Sequence, residues 1–110
     1  MNLTELKKIL DATGYPVAYS HFTATPDNPV PNPPYICFLV DGSPNMMADN
    51  KVYQKINDVS IELYTLRKDL AAEAKLEKVL DDLEIPYVSP FEGLIESEKL
   101  YQKIYETRLM

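Results

Sequence analysis

Cysteine, histidine, tryptophan and glycine are scarce or missing in this 110-residue chain, which has one Cys, one His, no Trp and three Gly. A single cysteine, Cys37, can close no intramolecular disulfide and cannot build a cysteine-based metal site. Its place inside an apolar run predicts a buried, unreactive thiol. The lone His21 excludes a histidine pair, and no Asp or Glu stands at a helical spacing from it to act as co-ligand or orienter, so a surface strand position is expected. The scattered glycines form no phosphate cradle, and the serines lie outside any nucleophile-elbow pattern. Positive charge is also short: 11 Lys and Arg against 17 Asp and Glu leave a net charge of -6. Such a chain repels phosphates, which disfavours sequence-specific DNA binding. The longest apolar run, Tyr35 to Val40, is far too short to span a bilayer. The start "MNLTELKKIL" lacks the basic head, apolar middle and cleavage site of a secretory signal, so cytosolic synthesis is expected.

What is present fits one domain of ordinary composition, with 45% hydrophobic and 25% charged residues. Asn2 and Glu5 form a capping pair for a first helix carrying Leu3, Leu6, Ile9 and Leu10 on one face, and Gly14 offers its left-handed stop. A short strand is expected within Tyr15 to Phe22. Thr23 to Pro34 holds five prolines in its last nine residues and reads as an exposed, stiffened loop. Tyr35 to Val40 is a β-branched and aromatic run suited to a central strand covered on both faces. "DGSPNMMADNK" reverses the chain as a hairpin. A long strand from Tyr53 to Thr65 follows, with Val59, Ile61 and Leu63 on its apolar face.

Asp69 caps a second helix in which Ala72, Leu76, Val79, Leu80 and Leu83 point inward, with Glu73, Lys75, Glu77, Lys78, Asp81 and Asp82 outward. Pro86 ends it. "PYVSPF" is a short strand whose Pro90 demands an edge or a bulge. Lys99 to Leu109 alternates as a last strand with one wet face. The fold class is therefore α+β: a mainly antiparallel sheet of about five strands packed against two helices, in the order α-β-β-β-α-β-β.

Chemistry is hard to find in this pattern. Asp81, Asp82 and Glu84 read as a solvated helix end, because no second acidic cluster or basic partner is placed to complete a site. Glu92, Glu96 and Glu98 read as a charged loop around Gly93, and neither stretch has calcium-loop spacing. No catalytic, metal or cofactor-binding residue is assigned, and the chain is not expected to be an enzyme. A small enzyme would need a pocket uniting Glu92, Glu96, His21 or Asp81. The P-x-x-P spacing occurs at Pro26 to Pro29 and at Pro31 to Pro34, but neither copy has the neighbouring Arg or Lys that SH3-type grooves read.

Taken along its whole length, the chain resembles the small tail-completion proteins of long-tailed bacteriophages and prophages, also called tail terminators or head-to-tail joining proteins. The likeness is one of layout: a short first helix, the strand start "GYPVAYSHF", a proline-bearing loop into "PPYICF" (Pro33 to Phe38), and a turn. Then come the long strand with "VSIELYT" (Val59 to Thr65), the helix "DLAAEAKLEKVLDDL" (Asp69 to Leu83) and the final strand "LYQKIYETRL". The resemblance implies a non-enzymatic structural protein that assembles as a ring, commonly hexameric, at the head-tail junction of the virion. Its partners would be copies of itself, the tail tube protein and the head connector protein. DNA would pass through without specific binding, and no cofactor or membrane is implied. An acidic lumen is consistent with that passage.

Ring assembly would give the loops a task, with Pro29, Pro31, Asn32, Pro33, Met46, Met47 and Tyr53 as candidate contacts to a neighbouring subunit or to the tail tube. The alternative is a host or prophage adaptor module that binds its partner through the proline loop.

Overall fold

The computed structural model describes residues 1–27, 29–43, 46–48, 51–54 and 56–109, with 46–48 and 51–54 described by their backbone. The elements run α1 (Leu3–Asp11), β1 (Val17–Tyr19), β2 (Tyr35–Gly42), β3 (Met46–Ala48), β4 (Lys51–Gln54), β5 (Asn57–Thr65), α2 (Leu70–Asp82), β6 (Val88–Ile95) and β7 (Leu100–Leu109). Five strands form one sheet in the order β1-β2-β5-β7-β6, and β3 and β4 form a separate two-stranded ladder. Every pairing in the large sheet is antiparallel except β1 with β2. This is the α+β architecture expected from the sequence, with one hairpin added.

Local chemistry explains the helix ends. The Asn2 side chain accepts from the Glu5 amide at 2.8 Å and the Asp69 side chain from the Ala72 amide at 3.0 Å, each satisfying an amide that has no partner within the helix. Gly14 follows α1 at φ +85°, a backbone region that L side chains rarely occupy.

Both helices cover one face of the sheet. Leu6 and Leu10 of α1 and Ala72, Leu76 and Leu80 of α2 join Ile36, Phe38, Val59, Ile61, Leu63, Tyr105 and Leu109 in one buried cluster. The strand residues in that set alternate with those on the opposite face, as the two-residue period of a strand requires. β2 lies between β1 and β5, an interior position as expected.

The structure corrects four expectations. The long strand does not run unbroken from Tyr53: β4 ends at Gln54 and β5 begins at Asn57. Position 55 lies outside the described residues. Within α2, Glu73 faces inward and is buried, whereas Leu83 is 55% exposed. Glu73 stands three residues before Leu76 and seven before Leu80, which places it on their face, while Leu83 caps the helix beyond the covered region. Glu92 and Gly93 belong to strand β6 rather than to a charged loop. His21 is exposed but follows β1 instead of lying within it.

Pro90 stands where its missing N–H demands. β6 is an edge strand, and its register shifts between Val88 and Phe91.

Candidate assembly site

The face of the sheet away from the helices carries the polar and aromatic partners of the core residues. Tyr35 and Cys37 of β2, Ser60, Glu62 and Tyr64 of β5, and Gln102 of β7 occupy it by register. The chain between β1 and β2 folds back over one end of this face. Phe22 meets Tyr35 edge-on, ring centres 5.3 Å apart, and Tyr35 stacks on Tyr64 at 5.1 Å. These three rings, with Val30, Cys37 and Glu98, line a cavity of about 450 Å³.

Electrostatics around this cavity are set by Glu98 in its lining and by Glu62, which is hydrogen-bonded to the lining residue Tyr64. The half-buried Glu62 accepts from the Tyr64 hydroxyl at 3.0 Å, and Tyr64 accepts from Gln102 at 2.9 Å. Burial, with added repulsion from Asp41 and Glu98, holds the Glu62 carboxyl above the usual carboxylate range despite that hydrogen bond. Burial, reinforced by the charge of Glu62, pushes the Cys37 thiol up to about 11. Tyr64 is also raised, first by burial and then by Glu62. Among the described residues neither Glu62 nor Glu98 has a Lys or Arg partner.

A second cavity, of about 550 Å³, opens at the other end of the sheet between Asp41, Asp58, Tyr87, Val88, Glu106 and Arg108. Here one of the three carboxylates, Asp58, is paired with a cation. Arg108 grips Asp58 through two nitrogens at 2.8 and 3.3 Å and holds that carboxyl below its ordinary value. The Ser60 hydroxyl donates to Asp41.

The β3–β4 hairpin continues from this same end. Met46 pairs with Gln54, Met47 with Val52 and Ala48 with Lys51, and the two strands make their main contacts with each other. β6 leaves one edge unpaired, with Val88 63%, Phe91 48% and Leu94 59% exposed.

The sequence-nominated residues divide between two places. Pro29 and Asn32 are exposed, and Pro31 and Pro33 half-buried, in the loop that roofs the aromatic cavity. Met46, Met47 and Tyr53 lie on the hairpin arm. The structure therefore puts the two groups at opposite ends of the sheet instead of in one patch.

The four residues nominated for an enzyme's pocket, Glu92, Glu96, His21 and Asp81, do not converge. Glu92 is bound to Lys68 at 2.8 Å, Asp81 sits on α2, and of the four only His21 lines the aromatic cavity. Among the described residues no group of three or more His, Cys, Asp or Glu could hold a metal ion. No helix among them is long and apolar enough to cross a membrane.

Sequence reasoning missed Tyr35, Tyr64, Glu62 and Glu98 as a site. The available signal was the alternation of Glu62 and Tyr64 on the polar face of an otherwise apolar strand. Compared with known families and curated proteins, the chain matches no family model and no curated protein sequence.

Proposed function

We propose that this chain is a structural virion assembly protein of the phage tail-completion type, forming a homo-oligomeric ring that caps the tail tube and joins tail to head. The observation that supports this reading most directly is the β3–β4 arm, which continues past the five-stranded sheet and packs mainly on itself. Its sequence includes Met46, Met47, Val52 and Tyr53, adaptable apolar and amphipathic types that favour contact with another protein. The exposed apolar edge of β6 adds a second unsatisfied surface, since an open strand edge is a template for pairing with another chain.

A ring of identical subunits needs two different surfaces per chain, because a heterologous contact repeats around an axis until it closes. An arm at one end and a roofed cavity at the other meet that requirement. The adaptor reading is less well supported: Pro31, Pro33 and Pro34 are half-buried in their own chain, which leaves less of the P-x-x-P face for a groove to read.

Light scattering on the eluting protein, and electron microscopy of the protein mixed with tail tubes, test the proposal. Rings of uniform size, or rings seated on tube ends, are expected. A persistent monomer that ignores tail tubes would sink it.

A further inference from the structure

Amides and carbonyls on the outside of a sheet are a template for another strand unless the outer strand is short, charged or bent. β1, at one side of the large sheet, is three residues long. β6, at the other side, is eight residues long, and among the described residues nothing pairs with its outer edge. Its protection stops halfway. Pro90 and the register shift end at Phe91, and from there to Ile95 the strand pairs with β7 residue for residue. That stretch, Phe91-Glu92-Gly93-Leu94-Ile95, carries no lysine or arginine. Its one charge, Glu92, is answered inside the chain by Lys68 at 2.8 Å and Lys103 at 3.6 Å.

The two faces of this stretch differ. Phe91, Gly93 and Ile95 lie opposite Ile104, Gln102 and Leu100, on the side away from the helices, whereas Glu92 and Leu94 lie opposite Lys103 and Tyr101 on the helix side. The Phe91 ring lies over Gly93, where an added Cβ would meet its Cζ at 3.0 Å. Glycine in a strand marks a place where a second backbone can come close, and here an exposed aromatic ring stands over it.

Charge and face select one register for a second copy of the same strand. Opposite residues of an antiparallel pair share a face, so a second β6 can be centred on Glu92, Gly93 or Leu94. Centring on Glu92 sets the two Glu92 residues against each other and pairs Pro90 with Leu94. Centring on Leu94 sets Glu92 against Glu96 on both sides. Centred on Gly93, Phe91 lies opposite Ile95, Glu92 opposite Leu94 and glycine opposite glycine, so the whole open stretch is used and no like charges meet. The two glycine Cα atoms are then about 5 Å apart, which brings the two Phe91 rings, each over its own glycine, into contact.

We infer that two copies of this chain pair antiparallel through β6, centred on Gly93, and join their sheets into one with all helices on the same face. The contact is two-fold and closes after two copies. It therefore goes beyond the ring contact and does not depend on it.

Leu94 is exposed, so substitutions there leave the monomer's core intact and test the register. Sedimentation equilibrium of the full-length protein should show monomer and dimer in exchange. Leu94→Glu sets a carboxylate against Glu92 of the other copy at two places and should weaken association by about tenfold or more, whereas Leu94→Lys sets an ammonium there and should hold or tighten it. In an equal mixture of ¹³C-labelled and unlabelled chains, isotope-filtered NOE spectra should connect the Phe91 ring to the Ile95 methyls of the other copy. Within one strand these two residues are about 13 Å apart at roughly 3.3 Å per residue, too far for such a signal.

A monomer at concentrations up to about 1 mM, or an association that both Leu94 variants weaken alike or leave unchanged, would overturn the pairing. Rings that form without the Phe91 to Ile95 signal would overturn it as well and leave the ring reading standing.

Discussion

Single side chains on the two faces of the sheet carry opposite electrostatic stories. On the helix face, Glu73 is buried between Lys68 at 2.9 Å and Lys103 at 3.2 Å, clamping the start of α2 onto β7. Removing it leaves Lys103, with 18% of its side chain exposed, short of its nearest partner. Glu73→Ala should therefore cost about 2 kcal/mol in urea unfolding, as expected when one member of a buried hydrogen-bonded charge pair is lost.

On the other face Glu62 is unanswered. Its carboxyl is raised, so the folded chain holds that proton more tightly than the unfolded chain does. Stability from this group is greatest at low pH and falls as pH rises from the unfolded value toward the folded one. Glu62→Gln should raise the urea midpoint at pH 7 and lose that advantage near pH 4.

Cys37 is a further residue-scale test. At pH 8 a thiol raised to about 11 is ionised in about one molecule per thousand, so alkylation should be about 100-fold slower in the native protein than in urea.

Among the elements, position in the sheet sets behaviour. β5 and β7 are paired on both sides and β6 on one. Backbone amides in the middle of β5 and β7 should be the slowest to exchange with deuterium, opening only when the whole sheet does. Amides on the outer edge of β6 should exchange orders of magnitude faster in the monomer. α2 owes its place to the stripe Ala72, Leu76 and Leu80, all at or below 1% exposure. Leu76→Ala should therefore cost about 3 kcal/mol through lost transfer energy and the cavity left behind. The elements themselves were largely legible: the two caps, the proline at an edge bulge and the alternation in β5 and β7 are local signals that local backbone chemistry obeys. Element boundaries near Gln54 were not, because a strand that leaves one sheet to pair in another keeps the same extended residue types.

At the scale of the molecule, one cluster unites both helices with three strands of the sheet, β2, β5 and β7, and Val17 of β1 packs against it from the sheet's edge. Probes of helix and of tyrosine packing should report one coincident unfolding transition, since neither layer keeps a core without the other. The Cα radius of gyration is 15.2 Å, against about 13 Å for a compact chain of this length. The excess matches a molecule elongated to 48 Å along its long axis.

The sequence by itself determined the helices, their caps, most strands, the buried thiol and the α+β order, because each follows from spacing and backbone preference within a few residues. Tertiary structure decided which strands neighbour one another, that Glu73 turns inward, and that Phe22, Tyr35, Tyr64 and Glu98 share a cavity. Those residues come together only through the β2–β5–β7 register and the loop folded across it, a long-range pairing that no local pattern encodes.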